Sequence, residues 1–320
     1  MMIDYISNKY KYSLTNVKKN IYVFTDCDLD GAGSYLMFKW FIRDYIPYKI
    51  TRVNDFKTVF APWYEINKDK YDNIYILDLD VSQECLDLVD KKNITIIDHH
   101  KTHVENKAKY KNATTMIQEY PSCTKLLYSI FSKHYKKKLT DEQKLMVLYI
   151  DDYDSYELKF PNSYNMNLVY WNYQGDRLGR FIEDFGKGFN GFTDLQKNVI
   201  NFNKSKFKAI KNKLDVHSAS KISIGKIKCK LVSVFADSYI NEIADHIIKN
   251  YKADIGLVIN LKTKKVSLRK SSTCKVDLGA LAGKLFDSGG GHEYAAGGLI
   301  NDKFLQFSKL FKPFSIKIGS

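Results

Sequence analysis

Acidic residues fall at three places where the chain has just run through a short apolar segment. Ile21–Phe24 leads into Thr25-Asp26-Cys27-Asp28-Leu29-Asp30-Gly31-Ala32-Gly33-Ser34, Ile74–Leu77 into Asp78, and Ile94–Ile97 into Asp98-His99-His100. Asp28 and Asp30 are two residues apart and in an extended turn point the same way. Several carboxylates and an imidazole gathered in one crevice repel one another unless cations sit among them. Hard oxygen donors with one histidine suit Mn²⁺ or Mg²⁺ better than a structural zinc. Two such ions about 3.5–4 Å apart activate a water and brace the leaving oxygen of a phosphoester.

Taken singly, each piece has a plainer reading. An Asp that ends a strand is more often a helix N-cap or turn former, which stays open for Asp78 and Asp80. His99 and His100 could be one core and one solvated histidine. Gly31 and Gly33 are half of a dinucleotide fingerprint, but Leu36 stands where its third glycine belongs. The coincidence at three strand ends is what favours metal chemistry. A fourth cluster, Asp151-Asp152-Tyr153-Asp154, follows a capped helix, where acids oppose the helix dipole and call for a positive neighbour.

The last hundred residues carry a different signal. Val266-Ser267-Leu268-Arg269-Lys270-Ser271 is followed by Ser288-Gly289-Gly290-Gly291-His292-Glu293-Tyr294-Ala295-Ala296-Gly297-Gly298. Consecutive glycines let backbone N–H groups approach and cradle an anion. His292 beside them can donate to a phosphate, and Arg269, with Ser271 near it, can hold one bidentately. A flexible surface turn is the alternative for a bare Gly-Gly-Gly.

The elements that must position these residues read as α/β. Short apolar runs alternate with helical patterns in the first half, the signature of a parallel sheet. Strands are expected at Ile21–Phe24, Ile74–Leu77 and Ile94–Ile97, with helices over Ser34–Asp44 (after a Gly-rich turn), Ser82–Asp90 and Ser122–Tyr135. Capping-box signals at Thr140/Gln143 and Thr193/Gln196 open a helix through Ile150 and a long lysine-rich one to about Leu214. Residues 159–192, rich in Asn, Tyr and Gly, read as loop or irregular helix. Beyond Val216, strands at Ile222–Ile224, Ile227–Phe235, Ile255–Asn260 and Lys265–Leu268 alternate with helices near Asn241–Asn250 and Asp277–Phe286. The expected division is a catalytic domain over 1–205, a connector over 206–220 and a smaller α/β domain over 221–320.

At 320 residues, 44% hydrophobic and 14% aromatic, the chain supports two ordinary cores and excludes wholesale disorder. No apolar run approaches the roughly 20 residues of a membrane span, and the polar N-terminus does not read as a secretory signal. Five scattered cysteines without a C-x-x-C pair argue for a reducing, cytoplasmic setting. The net charge of +14 is concentrated: residues 221–320 hold 17 Lys+Arg against 8 Asp+Glu, and residues 1–220 hold 33 against 28. A basic C-terminal third points to a polyanionic partner or simply to solubility.

The order D-x-D-G, a lone Asp after a strand, D-H-H, a later Asp and finally G-G-G-H-x-x-A-A-G resembles the DHH phosphoesterase superfamily with its C-terminal DHH-associated domain, over roughly residues 21–300. The resemblance implies a metal-dependent phosphodiesterase that binds two Mn²⁺ ions (Mg²⁺ as the alternative) in a cleft between domains. It implies Asp26, Asp28, Asp30, Asp78 and His99 as ligands, Asp98 as a ligand or close partner, and His100 as the group that orients water or meets phosphate. Asp154, followed by Tyr156 and Leu158, fits the fourth motif better than Asp151 or Asp152. Arg269, Ser271, Gly289, Gly290, Gly291 and His292 would hold the terminal phosphate. Small-substrate members carry a histidine where this chain has Phe24, whereas Asp26-x-Asp28-x-Asp30-Gly31 resembles RecJ-type single-strand exonucleases. The expected substrate is therefore single-stranded DNA, RNA or an oligonucleotide, with cyclic or linear dinucleotides or nucleotide 3′-phosphates as the alternative. Its grip would come from the basic helix Lys197–Lys213 and from aromatics such as Trp171 and Tyr173.

Overall fold

The computed structural model describes residues 20–291 and 293–300. Its chain divides between Asn203 and Lys204 into two compact units. In the first, the strands are β1 (Ile21–Asp26), β2 (Tyr48–Thr51), β3 (Asn73–Leu77), β4 (Ile94–Asp98) and β5 (Thr114–Ile117), in the order β2-β1-β3-β4-β5. Every pairing is parallel. The three central strands read as unbroken apolar runs because helices cover both faces of the sheet. Val23, Tyr75, Leu77 and Ile97 pack in one core with α1 (Leu29–Phe41), α5 (Cys123–Tyr135) and α6 (Asp141–Asp154). Phe24, Ile74, Ile76, Ile94 and Ile96 pack in the other with Phe56 and Phe60 of α2 (Val53–Asn67).

The strand order reverses between β1 and β3, since β2 lies on one side of β1 and the later strands on the other. Open parallel sheets place their sites at such a switch, outside the carboxyl ends of the strands. The loop after β1 and the residue after β3 are there, which is where the sequence puts Asp26–Asp30 and Asp78.

Several local expectations change. Gly31 and Gly33 are not in a turn; α1 begins at Leu29 and takes both into its first turns. A Cβ on Gly31 would lie 2.3 Å from the Asp26 carbonyl oxygen, and one on Gly33 would lie 2.3 Å from Thr124 Oγ1. These glycines are needed for close packing of α1 on the end of β1 and on α5. The helix expected over Ser82–Asp90 is one turn, α3 (Leu86–Val89), and the next is the short α4 (Lys101–Asn106). Residues 159–192 form two helices, α7 (Pro161–Asn172) with Pro at its first position and α8 (Arg177–Phe185) capped by Asp176. Both capping boxes are present, at Thr140/Gln143 and Thr193/Gln196. The second opens α9 (Asp194–Lys211), the long helix that runs through the boundary between the units.

The second unit holds six strands in the order β10-β11-β9-β8-β7-β6. They are β6 (Val216–Ile224), β7 (Ile227–Phe235), β8 (Ile255–Asn260), β9 (Lys265–Lys270), β10 (Asp287–Gly291) and β11 (Ala295–Leu299), with only β7–β8 parallel. Helix α10 (Ile240–Tyr251) covers one face through Ile243, Ala244 and Ile247, and α11 (Leu278–Leu285) packs Leu278 and Ala282 on the other. Gly289–Gly291 is therefore not a free loop but part of an edge strand paired with β11. All five cysteines are free. Among the described residues no helix is long and apolar enough to cross a membrane.

Candidate metal centre

The switch point of the first unit gathers its acids around one imidazole. His99 Nδ1 lies 2.9 Å from the Tyr120 carbonyl oxygen, a partner that can only accept, so Nδ1 donates there and Nε2 is the ring nitrogen turned towards the acids. That Nε2 lies 3.6 Å from Asp30 Oδ2, 3.3 Å from Asp78 Oδ1 and 3.5 Å from Asp154 Oδ2. A ring nitrogen converging with three carboxylate oxygens is an arrangement that suits a cation. Donors bound at about 2.0–2.2 Å lie roughly 3–3.5 Å apart at right or tetrahedral angles, so the spacing fits a ligand shell. Asp78 Oδ1 is buried without a hydrogen-bond partner, which leaves an orphan acceptor aimed into the same place.

Each carboxylate is held by a specific element. Asp30, in the first turn of α1, accepts from the backbone N–H groups of Cys123 (2.6 Å) and Thr124 (2.9 Å) at the start of α5. Asp28 is the N-cap of α1 and accepts from Gly31 N–H at 2.9 Å. The two therefore belong to a cap and a helix rather than to one extended turn. Asp26 ends β1 and accepts from the Cys27 N–H. Asp78 follows β3 in a left-handed conformation, φ 58°, and is 2% exposed.

Of the fourth cluster, Asp151 is bonded by Ser122 Oγ and Lys125 Nζ. Asp152 accepts from the backbone N–H groups of Lys159 and Phe160, closing the turn after α6. Asp154 alone of the three reaches His99. Asp80 is a turn former, accepting from Ser82 N–H and Oγ.

The acids hinder one another's ionisation. Burial, and then the charge of Asp28, pushes Asp26 up to about 7. Burial and then Asp30 raise Asp28, Asp78 and Asp154, the last two well above the usual carboxylate range. A divalent ion removes both penalties, since it replaces lost hydration and cancels repulsion.

Asp98 behaves differently. It is fully buried, with Oδ1 2.8 Å from His100 Nδ1 and Oδ2 2.6 Å from His103 Nδ1. Burial opposes its charge, but His100 and then His103 outweigh it and hold the carboxyl well below its usual range. Burial likewise opposes the charge on His100, yet Asp98 carries it up to about 10. His103, itself completely buried, bonds the Tyr110 hydroxyl through Nε2 at 2.8 Å. Sequence reasoning missed His103; its signal is a third histidine, five residues after Asp98, on the first turn of the next helix. Cation-site geometry is met by two overlapping sets, Asp30/His99/Asp154 and Asp78/Asp98/His99/His100, with donor atoms within 4.8 Å of one another.

Residues 20–150 match the family model described as the DHH family, N-terminal domain. The N-terminal unit is a DHH domain. No curated protein matches the chain in sequence. Among solved structures, a DHH-domain protein described as a member of the s1p family of ribosomal proteins aligns at 13% identity, TM-score 0.64, over 97% of this chain and 91% of its own. Exonuclease RecJ bound to manganese aligns at 12% identity and TM-score 0.56, over 96% and 92%. The pGpG-specific phosphodiesterase PggH of Vibrio cholerae aligns at 14% and 0.54, over 91% and 97%. At these identities the likeness is one of fold. The matched segment carries Asp26, Asp28, Asp30, Asp78, Asp98, His99 and His100.

In the second unit, Arg269 lies on β9 opposite Ala295 of β11 and donates to Asn241 Oδ1 at 2.8 Å. Gly291 has φ 132°, and a Cβ there would meet the Ala295 carbonyl oxygen at 2.6 Å, so the strand turns as only glycine allows. Ser271 Oγ lies 3.2 Å from Thr273 Oγ1. His292 lies outside the described residues. Of the two aromatics singled out, Trp171 is exposed, whereas Tyr173 is half-buried and donates to Asp184.

Proposed function

We propose that the chain hydrolyses phosphodiesters of single-stranded nucleic acid or short oligonucleotides with two Mn²⁺ ions. The observation that carries this reading is His99 Nε2 facing Asp30, Asp78 and Asp154 at 3.3–3.6 Å. Asp30, Asp78, His99 and Asp154 would hold one ion, and Asp26, Asp28 and Asp78 a second. Bound there, the ions would supply a water of lowered pKa and neutralise charge on the reacting phosphate.

The remaining steps belong to protein groups. Asp98 fixes His100 through Nδ1, so Nε2 is the nitrogen that exchanges a proton with the substrate, and its charge favours a phosphoryl oxygen. His103 and Tyr110 lock Asp98 in turn. The second unit would act as the DHH-associated domain, with Arg269, Ser271, the Gly289–Gly291 strand and His292 taking a terminal phosphate. Phe24 is completely buried against Phe56 and Phe60, so it offers no ligand where small-substrate members have a histidine. That favours the polymer substrate.

The test is hydrolysis of end-labelled single-stranded DNA, RNA, dinucleotides and cyclic dinucleotides with Mn²⁺, beside an Asp98→Ala/His99→Ala control. Mn²⁺-dependent shortening of single strands is expected. Cleavage confined to two-nucleotide substrates moves the assignment to a dinucleotide phosphodiesterase, and no Mn²⁺-dependent cleavage removes it.

A further inference from the structure

Helix α7 ends beside the acidic centre. The Tyr170 hydroxyl donates to the carbonyl oxygen of Cys27, the residue between Asp26 and Asp28, at 2.9 Å. The next residue, Trp171, turns outward and is 40% exposed, whereas Trp40 is buried and Trp63 half-buried. Arg177, the first residue of α8, lies over both rings: its Cζ is 4.3 Å from the Trp171 centroid and 5.6 Å from that of Tyr170. A cation stacked on an exposed indole stands one tyrosine's length from the acids.

The guanidinium is under-used. No side-chain hydrogen bond or ion pair of Arg177 occurs among the described residues, although its backbone N–H donates to the Gly175 carbonyl, and its Nε is buried without a partner. The neighbouring carboxylate does not serve it, because Asp176 is committed to the Tyr48 hydroxyl at 2.9 Å and to the Gly179 N–H at 3.0 Å. A planar cation with unspent donors, braced on an aromatic face, is suited to a phosphate, and an indole with one side open is suited to a base. A small dinucleotide does not need such a platform outside the metal centre, but a strand does.

We infer that Trp171 and Arg177 form a strand-binding subsite of the DHH domain, with Arg177 holding a phosphodiester and the Trp171–Arg177 stack carrying the adjacent base of a single-stranded nucleic acid. This rests on the phosphodiesterase reading above and names where the part of the strand away from the scissile bond lies.

The experiment pairs binding with turnover. Binding of octathymidylate is followed in Ca²⁺ by intrinsic fluorescence, and hydrolysis of octathymidylate and of thymidine dinucleotide is followed in Mn²⁺. Quenching on addition of octathymidylate is expected for the wild type and is expected to be lost in Trp171→Phe, while affinity in Trp171→Phe stays within a few-fold because Phe still stacks. Trp171→Leu and Arg177→Gln are each expected to weaken octathymidylate about tenfold to a hundredfold, seen as a raised KM with kcat retained, and to leave the dinucleotide nearly unaffected. Arg177→Gln should also flatten the salt dependence of binding by about one phosphate contact. Wild-type affinity in both Trp171→Leu and Arg177→Gln, or no quenching in the wild type, overturns the subsite even where Mn²⁺-dependent hydrolysis persists. Quenching by octathymidylate with no hydrolysis of any substrate sinks the phosphodiesterase reading and leaves the subsite standing.

Discussion

Consider the protein stripped of divalent ions and carried from pH 5 to pH 8. Asp26, ordinarily near 3.8, titrates near 7 in the folded chain because of burial and Asp28. A carboxyl raised in this way costs nothing below the unfolded value, where it is neutral in both states. Above it, the unfolded chain ionises and the folded one does not, so stability falls as pH rises through 7. At about 1.4 kcal/mol per tenfold, that one group costs about 4 kcal/mol in all, of which about 3 kcal/mol is lost between pH 5 and pH 7. Asp28, Asp78 and Asp154 are shifted the same way. His100, carried up to about 10 by Asp98 against its own burial, adds stability below about 6.5 that is lost as pH climbs towards 10, again the same sign. Asp98, held low, loses its contribution only in strong acid, outside this window.

A unit of this size shifts about 2–4 °C per kcal/mol. The melting temperature in EDTA should therefore drop by roughly 10 °C between pH 5 and pH 8. With Mn²⁺ present the ion replaces the protons, and the melting temperature should instead rise with pH. Differential scanning calorimetry of the same sample in EDTA and in Mn²⁺ reads both slopes. A flat or rising curve in EDTA, or a Mn²⁺ stabilisation no greater at pH 8 than at pH 5, would refute the idea that mutual repulsion of these acids is relieved by metal.

Three further outcomes are expected. Asp154→Asn should abolish one Mn²⁺ in a calorimetric titration, whereas Asp151→Asn should keep both ions and lose about 1–3 kcal/mol of stability through Ser122 and Lys125. Gly33→Ala should cost about 1–3 kcal/mol in urea unfolding, since its Cβ would press on Thr124 Oγ1 at 2.3 Å and Ile150 Cδ1 at 2.7 Å. Tyr110→Phe strips the buried His103 Nε2 of its partner and should lower stability by about 1–3 kcal/mol while also lowering kcat more than it raises KM, because Asp98 is less firmly held.

Much of this architecture is legible from residue order. β1, β3 and β4 are buried on both faces and so write themselves as apolar runs, each stopped by the acid that the site uses. The capping boxes at Thr140 and Thr193 are local chemistry and need no tertiary context. The edge strands are another matter: Tyr48–Thr51 is half exposed and Thr114–Ile117 only four residues long, so neither has a pattern to read. Asn-rich α7 hides behind composition, although Pro161 at its first position and Asp176 before α8 were available as signals. Gly31, Gly33 and the Gly289–Gly291 run look like turns, because close packing and backbone freedom ask for the same residue. The acids of the site are legible as types and spacing, but which of Asp151, Asp152 and Asp154 faces His99 depends on what the other two bond, and that is settled only by the fold.

Asp78 combines a left-handed backbone with a buried carboxylate oxygen that no protein donor satisfies. A non-glycine residue in such a conformation carries of order 1–3 kcal/mol of strain, and its desolvated acid adds to that. Stability by itself would favour glycine at this position. On the proposed function, the aspartate is a residue that the fold tolerates for the sake of metal binding, and a descendant that needed no metal there would gain by discarding Asp78 before any other member of the centre.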